Sequence, residues 1–152
     1  NGAVALTNVD YTDGSGFVPV TERSRVQVEA IIPSGNAIVI DETLELDFST
    51  DYTVIAVGDV AAPIAPLVIA NPTGEPIASG SFRAQVVHAA PDAPAVDVFV
   101  TAPGADLAAS TPINAAPLAY QQSTDRIQAP AGDYQVRVTF GGNPASRATW
   151  IP

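Results

Sequence analysis

The chain has a single histidine, His88, and it stands close to two carboxylates, Asp92 and Asp97, in the run HAAPDAPAVDVFV over residues 88–100. An imidazole beside carboxylates is the raw material of general acid–base chemistry or of a metal site. The surroundings argue for less. Cysteine is absent, and one imidazole alone is thin material for zinc. No nucleophile elbow accompanies the histidine, so no Ser-His-Asp set is assembled. The same residues have a plain structural use. Pro91 and Pro94 fix φ and lower the entropy lost on folding. Asp92 between them is expected to accept backbone N–H bonds that lock the turn. The His88 ring is expected to bond turn backbone and fix the loop into the next strand. Asp97 lies mid-strand between Val96 and Val98; an inward face there calls for a partner, with Arg83 and Arg137 as candidates. His88, Pro91, Asp92, Pro94 and Asp97 are therefore read as a structural turn motif. No catalytic, cofactor-binding or metal-binding residue is assigned, no cofactor is expected, and the chain is read as not an enzyme.

Other groups weigh the same way. Asp10, Asp13 and Ser15 in VDYTDGSG, and the acidic run Asp41, Glu42, Glu45 and Asp47, offer oxygens to calcium. Their spacing does not match the helix–loop–helix calcium loop, so weak calcium binding is the most they imply, and a solvated strand face is the plainer role. Gly141-Gly142-Asn143 reads as a hairpin turn, not a phosphate cradle. Trp150, Phe99, Tyr120 and Tyr134 would make a sugar-stacking platform if exposed; core packing is the commoner use of such rings.

Composition narrows the class. The 152 residues are 47% hydrophobic and 14% charged, which is too apolar for a disordered chain and enough for one good core or two small ones. The longest apolar runs, near Val54–Val57 and Pro66–Ala70, are strand-sized, so membrane insertion is not expected. The chain starts at Asn1 and has no Met, as expected of a processed product or a piece of a longer one. Without cysteine, a hydrophobic core alone must carry the fold. All six basic residues are Arg, and the net charge of −10 argues against nucleic acid as a partner. The charge is uneven. Residues 1–80 hold 11 acids and 2 Arg, a net −9, whereas residues 81–152 hold 5 acids and 4 Arg, a net −1.

The elements that must position these residues are strands. Apolar residues alternate in Arg25–Ile32, Thr43–Phe48 and Asp133–Phe140. Val26, Val28 and Ala30, then Leu44, Leu46 and Phe48, then Tyr134, Val136, Val138 and Phe140, are each expected to line a buried face, with polar residues on a wet one. Val86–Val87, Val96–Val100 and Tyr52–Val57 are more apolar on both sides and are expected to be central. Turn signals separate the strands: Asp13–Gly16, Pro33–Asn36, Asn71–Gly74, Pro130–Asp133 and Gly141–Pro144. Gly104–Ser110 suits one helical turn and little more. The pattern predicts an all-β fold of immunoglobulin-like antiparallel β-sandwich modules.

An internal repeat divides the chain. Val9-Asp10-Tyr11 matches Leu118-Ala119-Tyr120, Arg25-Val26-Gln27-Val28 matches Asp133-Tyr134-Gln135-Val136, and Gly35-Asn36 matches Gly142-Asn143, at offsets of 109, 108 and 107. Single-residue drift is what loop deletions give. Residues near 6–40 and 118–151 thus read as the same part of two successive modules.

Residues 84–100, AQVVHAAPDAPAVDVFV, resemble the opening of the secreted bacterial repeats called domain of unknown function 4397. Residues 129–138 (APAGDYQVRV) resemble the family's middle segment, and residues 46–58 (LDFSTDYTVIAVG) its late one. The order departs from the family pattern, since the late segment comes first. Residues 1–80 therefore read as the back part of one β-sandwich module and residues 81–152 as the front part of the next. The family carries no assigned activity, so the resemblance implies an extracellular or cell-surface location and transfers no catalytic residue.

Two partial sandwiches leave an edge and a core face uncovered. The missing parts either belong to a longer array, or are shared between the two halves, or come from neighbouring subunits. Residues 81–152 followed by a neighbour's equivalent of 41–80 would make 112 positions, close to the repeat offset. Head-to-tail completion does not close on itself and so gives a fibre. The sequence thus points to a non-enzymatic structural building block, a stalk, matrix or filament subunit, joined through β-strand complementation as a homo-oligomer or head-to-tail polymer. The alternative is a monomeric adhesion or carbohydrate-binding module.

Overall fold

A computed structural model describes residues 6–10, 12–32, 35–58 and 63–141. The described chain is all-β. Its strands are β1 (Arg23–Ile32), β2 (Gly35–Glu45), β3 (Thr50–Val57), β4 (Ala65–Pro72), β5 (Ser81–Ala84), β6 (Val96–Thr101), β7 (Ile127–Pro130) and β8 (Gln135–Phe140), with one 3₁₀ turn at Leu107–Ala109. The strands pair antiparallel as β1–β2, β3–β4, β5–β7 and β6–β8.

The first half consists of two hairpins. In β1–β2 the ladder runs from Arg23 opposite Glu45 to Ile32 opposite Gly35, with a shift between Val28 and Glu29. Val28 faces Ile40 and Glu29 faces Ile38, so Val39 is the extra residue of a bulge. In β3–β4, Thr50 faces Pro72 and Val57 faces Ala65. Gly58 holds φ at +115°, and a Cβ there would sit 2.8 Å from the Pro63 carbonyl oxygen, so the chain after β3 turns where only glycine fits. Among the described residues of this half, Ile40, Leu46 and Val57 are the buried apolar ones. The expected strand over Thr43–Phe48 is cut short. β2 stops at Glu45, Leu46 is buried, and Phe48 turns outward because the chain bends at Phe48–Ser49 with Ser49 at φ 58°.

The second half has two layers. One is β5–β7, prolonged by a bridge from Val87 to Ser123 and by hydrogen bonds between residues 86–88 and 121–124. Val86–Val87 is thus a single bridge, not a strand. The other layer centres on β6, with β8 on one edge and residues 113–118 on the other. Val96 exchanges two hydrogen bonds with Leu118 (2.7 and 3.0 Å), and Ile113 N–H donates to the Val98 carbonyl (2.8 Å). Val96, Val98 and Leu118 form the core cluster, with Val86 and Ile113 against it. Val98 is fully buried, and β6 is buried at Val96, Val98 and Phe99, as its two-sided apolar sequence predicts. At the end of β8, a Cβ on Gly141 would lie 2.3 Å from Pro117 Cβ, so glycine is what lets this turn close over the 113–118 segment.

The turn signals at Pro33-Ser34 and Gly142–Pro144, Tyr11 of the repeat, and Trp150 lie outside the described residues.

Candidate functional site

The His88 turn is held by backbone. The ring is buried, only 6% exposed, and both nitrogens are used. Nδ1 accepts from Ala90 N–H (3.4 Å), which assigns the proton to Nε2, and Nε2 donates to the Pro94 carbonyl (3.1 Å). Ala93 N–H bonds the Ala90 carbonyl (3.4 Å) and closes the turn. Tyr120 stands edge-on to the imidazole at 6.3 Å. His88 therefore staples the loop it begins. Asp92 does not lock the turn as expected. It is exposed, and no described residue hydrogen-bonds its side chain, because the backbone bond and the two prolines already fix the geometry.

Asp97 meets a group that sequence reasoning missed. Asn114 Oδ1 accepts from Val98 N–H (2.8 Å), and its Nδ2 donates to the carbonyls of Val96 (3.1 Å) and Ala116 (2.8 Å) and approaches Asp97 Oδ1 (3.5 Å). The two arginines proposed for Asp97 are engaged elsewhere. Arg83 pairs with Glu75 (3.4 Å), and Arg137 Nη2 donates to Thr101 Oγ1 (2.8 Å). An Asn between Pro112-Ile113 and Ala115-Ala116-Pro117 is a turn residue by type, and that was its only signal. Buried Thr124 was missed too; its hydroxyl accepts from Val86 N–H (3.1 Å).

The face of β8 is the main departure from the sequence pattern. Val136, Val138 and Phe140 were expected to be buried; they are exposed, at 51%, 41% and 50%, while Gln135, Arg137 and Thr139 are half-buried. Register explains both. Val136, Val138 and Phe140 stand opposite Val100, Val98 and Val96 and so share the core side of the sheet. The core cluster, however, lies under β6 and its 113–118 neighbour, and it stops before β8. The polar side is covered instead by the loop after β6, where Gly104 N–H donates to Gln135 Oε1 (3.2 Å). At the foot of the exposed face, Tyr134 meets Phe82 of β5 edge-on at 5.3 Å. On that face Val136 and Val138 are left about half exposed.

A family comparison matches residues 1–99 to domain of unknown function 4397. The chain belongs to that family. The match takes in both the late-type segment at residues 46–58 and most of the opening-type one, crosses Gly80–Ser81, and ends at Phe99 inside β6. No curated protein and no solved structure matches the chain.

In this member of domain of unknown function 4397, the late-type residues 50–57 form β3, and the opening-type residues run from β5 through the His88 turn into β6. Its acidic residues are spread out. Among the described residues no group of three or more His, Asp or Glu comes together, which leaves the calcium expectation without a cluster. Asp41 takes a two-bond ion pair from Arg25, whose hydrogen bonds hold the Asp41 carboxyl below its ordinary pKa. Glu45 pairs with Arg23 (3.2 Å). Glu75 bridges Arg83 and Arg126 beside a cleft of about 320 Å³ lined by Asn71, Thr73 and Gln85, among others, and by no aromatic ring. The aromatic platform considered from the sequence is not assembled there. Phe99 is buried, Tyr134 leans on Phe82, and Tyr120 on His88.

Proposed function

We propose that this protein is a non-enzymatic extracellular building block, a cell-surface stalk, matrix or filament subunit, assembled by β-strand complementation between neighbouring subunits. One observation carries the reading: the core side of β8 presents Val136 and Val138 to solvent in a sheet whose other strand, β6, buries Val96, Val98 and Phe99. A sheet face of that kind is an association surface or an aggregation liability. The partial-module organisation, residues 1–80 and 81–152 as the back and front of successive immunoglobulin-like sandwiches, supplies the reason for the gap. The secreted character of the family supports the location. The His88 turn supports the non-enzymatic part, since its imidazole is spent on backbone.

Light scattering and electron microscopy of the purified chain over a concentration series test this. Concentration-dependent polymers are expected; compact monomers at every concentration would overturn it.

A further inference from the structure

We infer that the chain carries an acceptor slot for one added strand, along the outward edge of residues 83–87, and that the segment Gly16–Thr21 of a second copy fills it, with Val18 opposite Val87 and Val20 opposite Gln85. This deepens the building-block reading and rests on it.

The slot follows from hydrogen-bond parity. The Gly80 carbonyl accepts from Ala131 N–H (2.7 Å), the Val86 carbonyl accepts from Thr124 N–H (2.9 Å), and His88 N–H donates to the Gln122 carbonyl (2.9 Å). Alternation along an antiparallel ladder turns Phe82 and Ala84 the same way, toward β7. The N–H and C=O of Arg83, Gln85 and Val87 therefore point to the opposite edge. Among the described residues β7 is the only strand paired with β5, and none bonds these outward groups, although all three residues are half-buried. Half-buried backbone donors and acceptors call for partners.

The edge opens on a trench. The cleft of about 320 Å³ is bordered by Arg83, Ala84 and Gln85 alike, residues that alternate between the two faces, so it runs along the edge and not over one face. A second cavity of about 310 Å³ continues it past Gln85 and Val87, and its far wall is the β3–β4 face at Thr53, Ile55 and Ile69. The trench is thus polar at the Arg83 end and apolar at the Val87 end. A single strand with both of its own edges free fits such a slot. An isologous contact of two 83–87 edges is blocked, because each edge stands behind its own β3–β4 wall.

Residues 14–20 are such a strand. No described residue hydrogen-bonds their backbone, and Phe17, Val18 and Val20 are exposed. Laid antiparallel to 83–87, the segment matches the trench end to end. Val18 comes to the apolar end and the Glu22 carboxylate to the arginine end. Pro19, which lacks an N–H, falls opposite Val86, whose own backbone groups face the other way, so no bond is lost there. The occupant is a second copy because the segment's exit from its own chain is fixed. Thr21 N–H donates to Ser24 Oγ (3.2 Å), Ser24 Oγ donates to the Thr21 carbonyl (3.1 Å), and Thr21 Oγ1 donates to the Arg23 carbonyl (2.9 Å). This turn leads the segment out into solvent, where Phe17 is 87% exposed, and folding back into its own trench would break it.

The chain contains no cysteine, so single-cysteine variants give an unambiguous test. Val18→Cys is mixed with Val87→Cys and oxidised with copper phenanthroline; Val18→Cys with Ala102→Cys, on an exposed bend, is the control. Circular dichroism checks each fold, and if Val87→Cys does not fold, Glu22→Cys with Arg83→Cys reports the same register. The expected result is covalent heterodimer at least tenfold above the control. Parity gives a second readout. Val20→Pro, added to the Val18→Cys chain, removes an N–H that the pairing uses and returns the yield to the control level, whereas Phe17→Pro, at a position of the same parity as Pro19, changes it by about twofold or less. Heterodimer at the control level without any added proline overturns the slot, and so do equal effects of the two prolines. A predominance of Val87→Cys homodimer overturns it as an edge-to-edge contact. Efficient closure within a Val18→Cys/Val87→Cys double variant that stays monomeric also overturns it, because the segment then fills its own trench. Polymers of the unmodified chain without the cross-link would sink this slot and leave the building-block reading standing; absence of both would end both.

Discussion

Asn114 takes the place of a ladder rung beside β6. Its side chain accepts from Val98 N–H, a group a regular neighbouring strand would pair, and adds a second donor to the Val96 carbonyl that Leu118 N–H already serves. Asn114→Ala leaves the partly buried Val98 N–H without its partner, at a cost of about 1–3 kcal/mol; urea unfolding followed by tryptophan-independent far-UV circular dichroism measures it, and a change below a few tenths would show that water replaces the amide without loss. His88 teaches a related lesson. A lone imidazole near two carboxylates was legible from the sequence as a turn residue, because nothing beside it was fit to be a nucleophile or a second ligand. That Asp92 contributes no bond was not legible, since a turn-forming Asp and a spectator Asp look identical until the backbone bond from Ala93 to Ala90 is known.

At the scale of the element, β6 and β8 read alike in sequence and behave differently. Both carry valines two residues apart, and those valines face each other across the ladder. Val98 is fully buried while Val138 is 41% exposed, because the layer beneath them ends under β6. Val98→Ala is expected to cost about 1–3 kcal/mol in the isolated chain, and Val138→Ala about 0.5 kcal/mol or less. Chemical denaturation of the two variants below any association concentration measures both. Equal losses would mean that β8 is covered in solution within one chain. Period two identified the strands at β1 and β8, and two-sided apolar runs those at β3 and β6, but period two assigns residues to a face, not a cover to that face. The short β5 and β7 were missed because four residues are too few to display a period.

For the whole molecule, Glu75 ties the crossing from β4 onto the β5–β7 layer by bridging two arginines, Arg83 at 3.4 Å and Arg126 at 3.0 Å. The carboxylate is about half exposed, so the bridge is worth only about 0.5–1 kcal/mol. Glu75→Gln should speed tryptic cleavage after Arg83 about two- to five-fold by loosening that crossing; an unchanged cleavage rate would show that the bridge does not hold it. The sequence by itself determined the all-β class, the turn role of His88, the charge asymmetry and the family, because composition, two-residue periodicity and turn chemistry are local properties of the chain. Only the tertiary structure decided which apolar faces are covered. Burial depends on where a second layer ends, and no spacing along β8 records that the core stops one strand short of it.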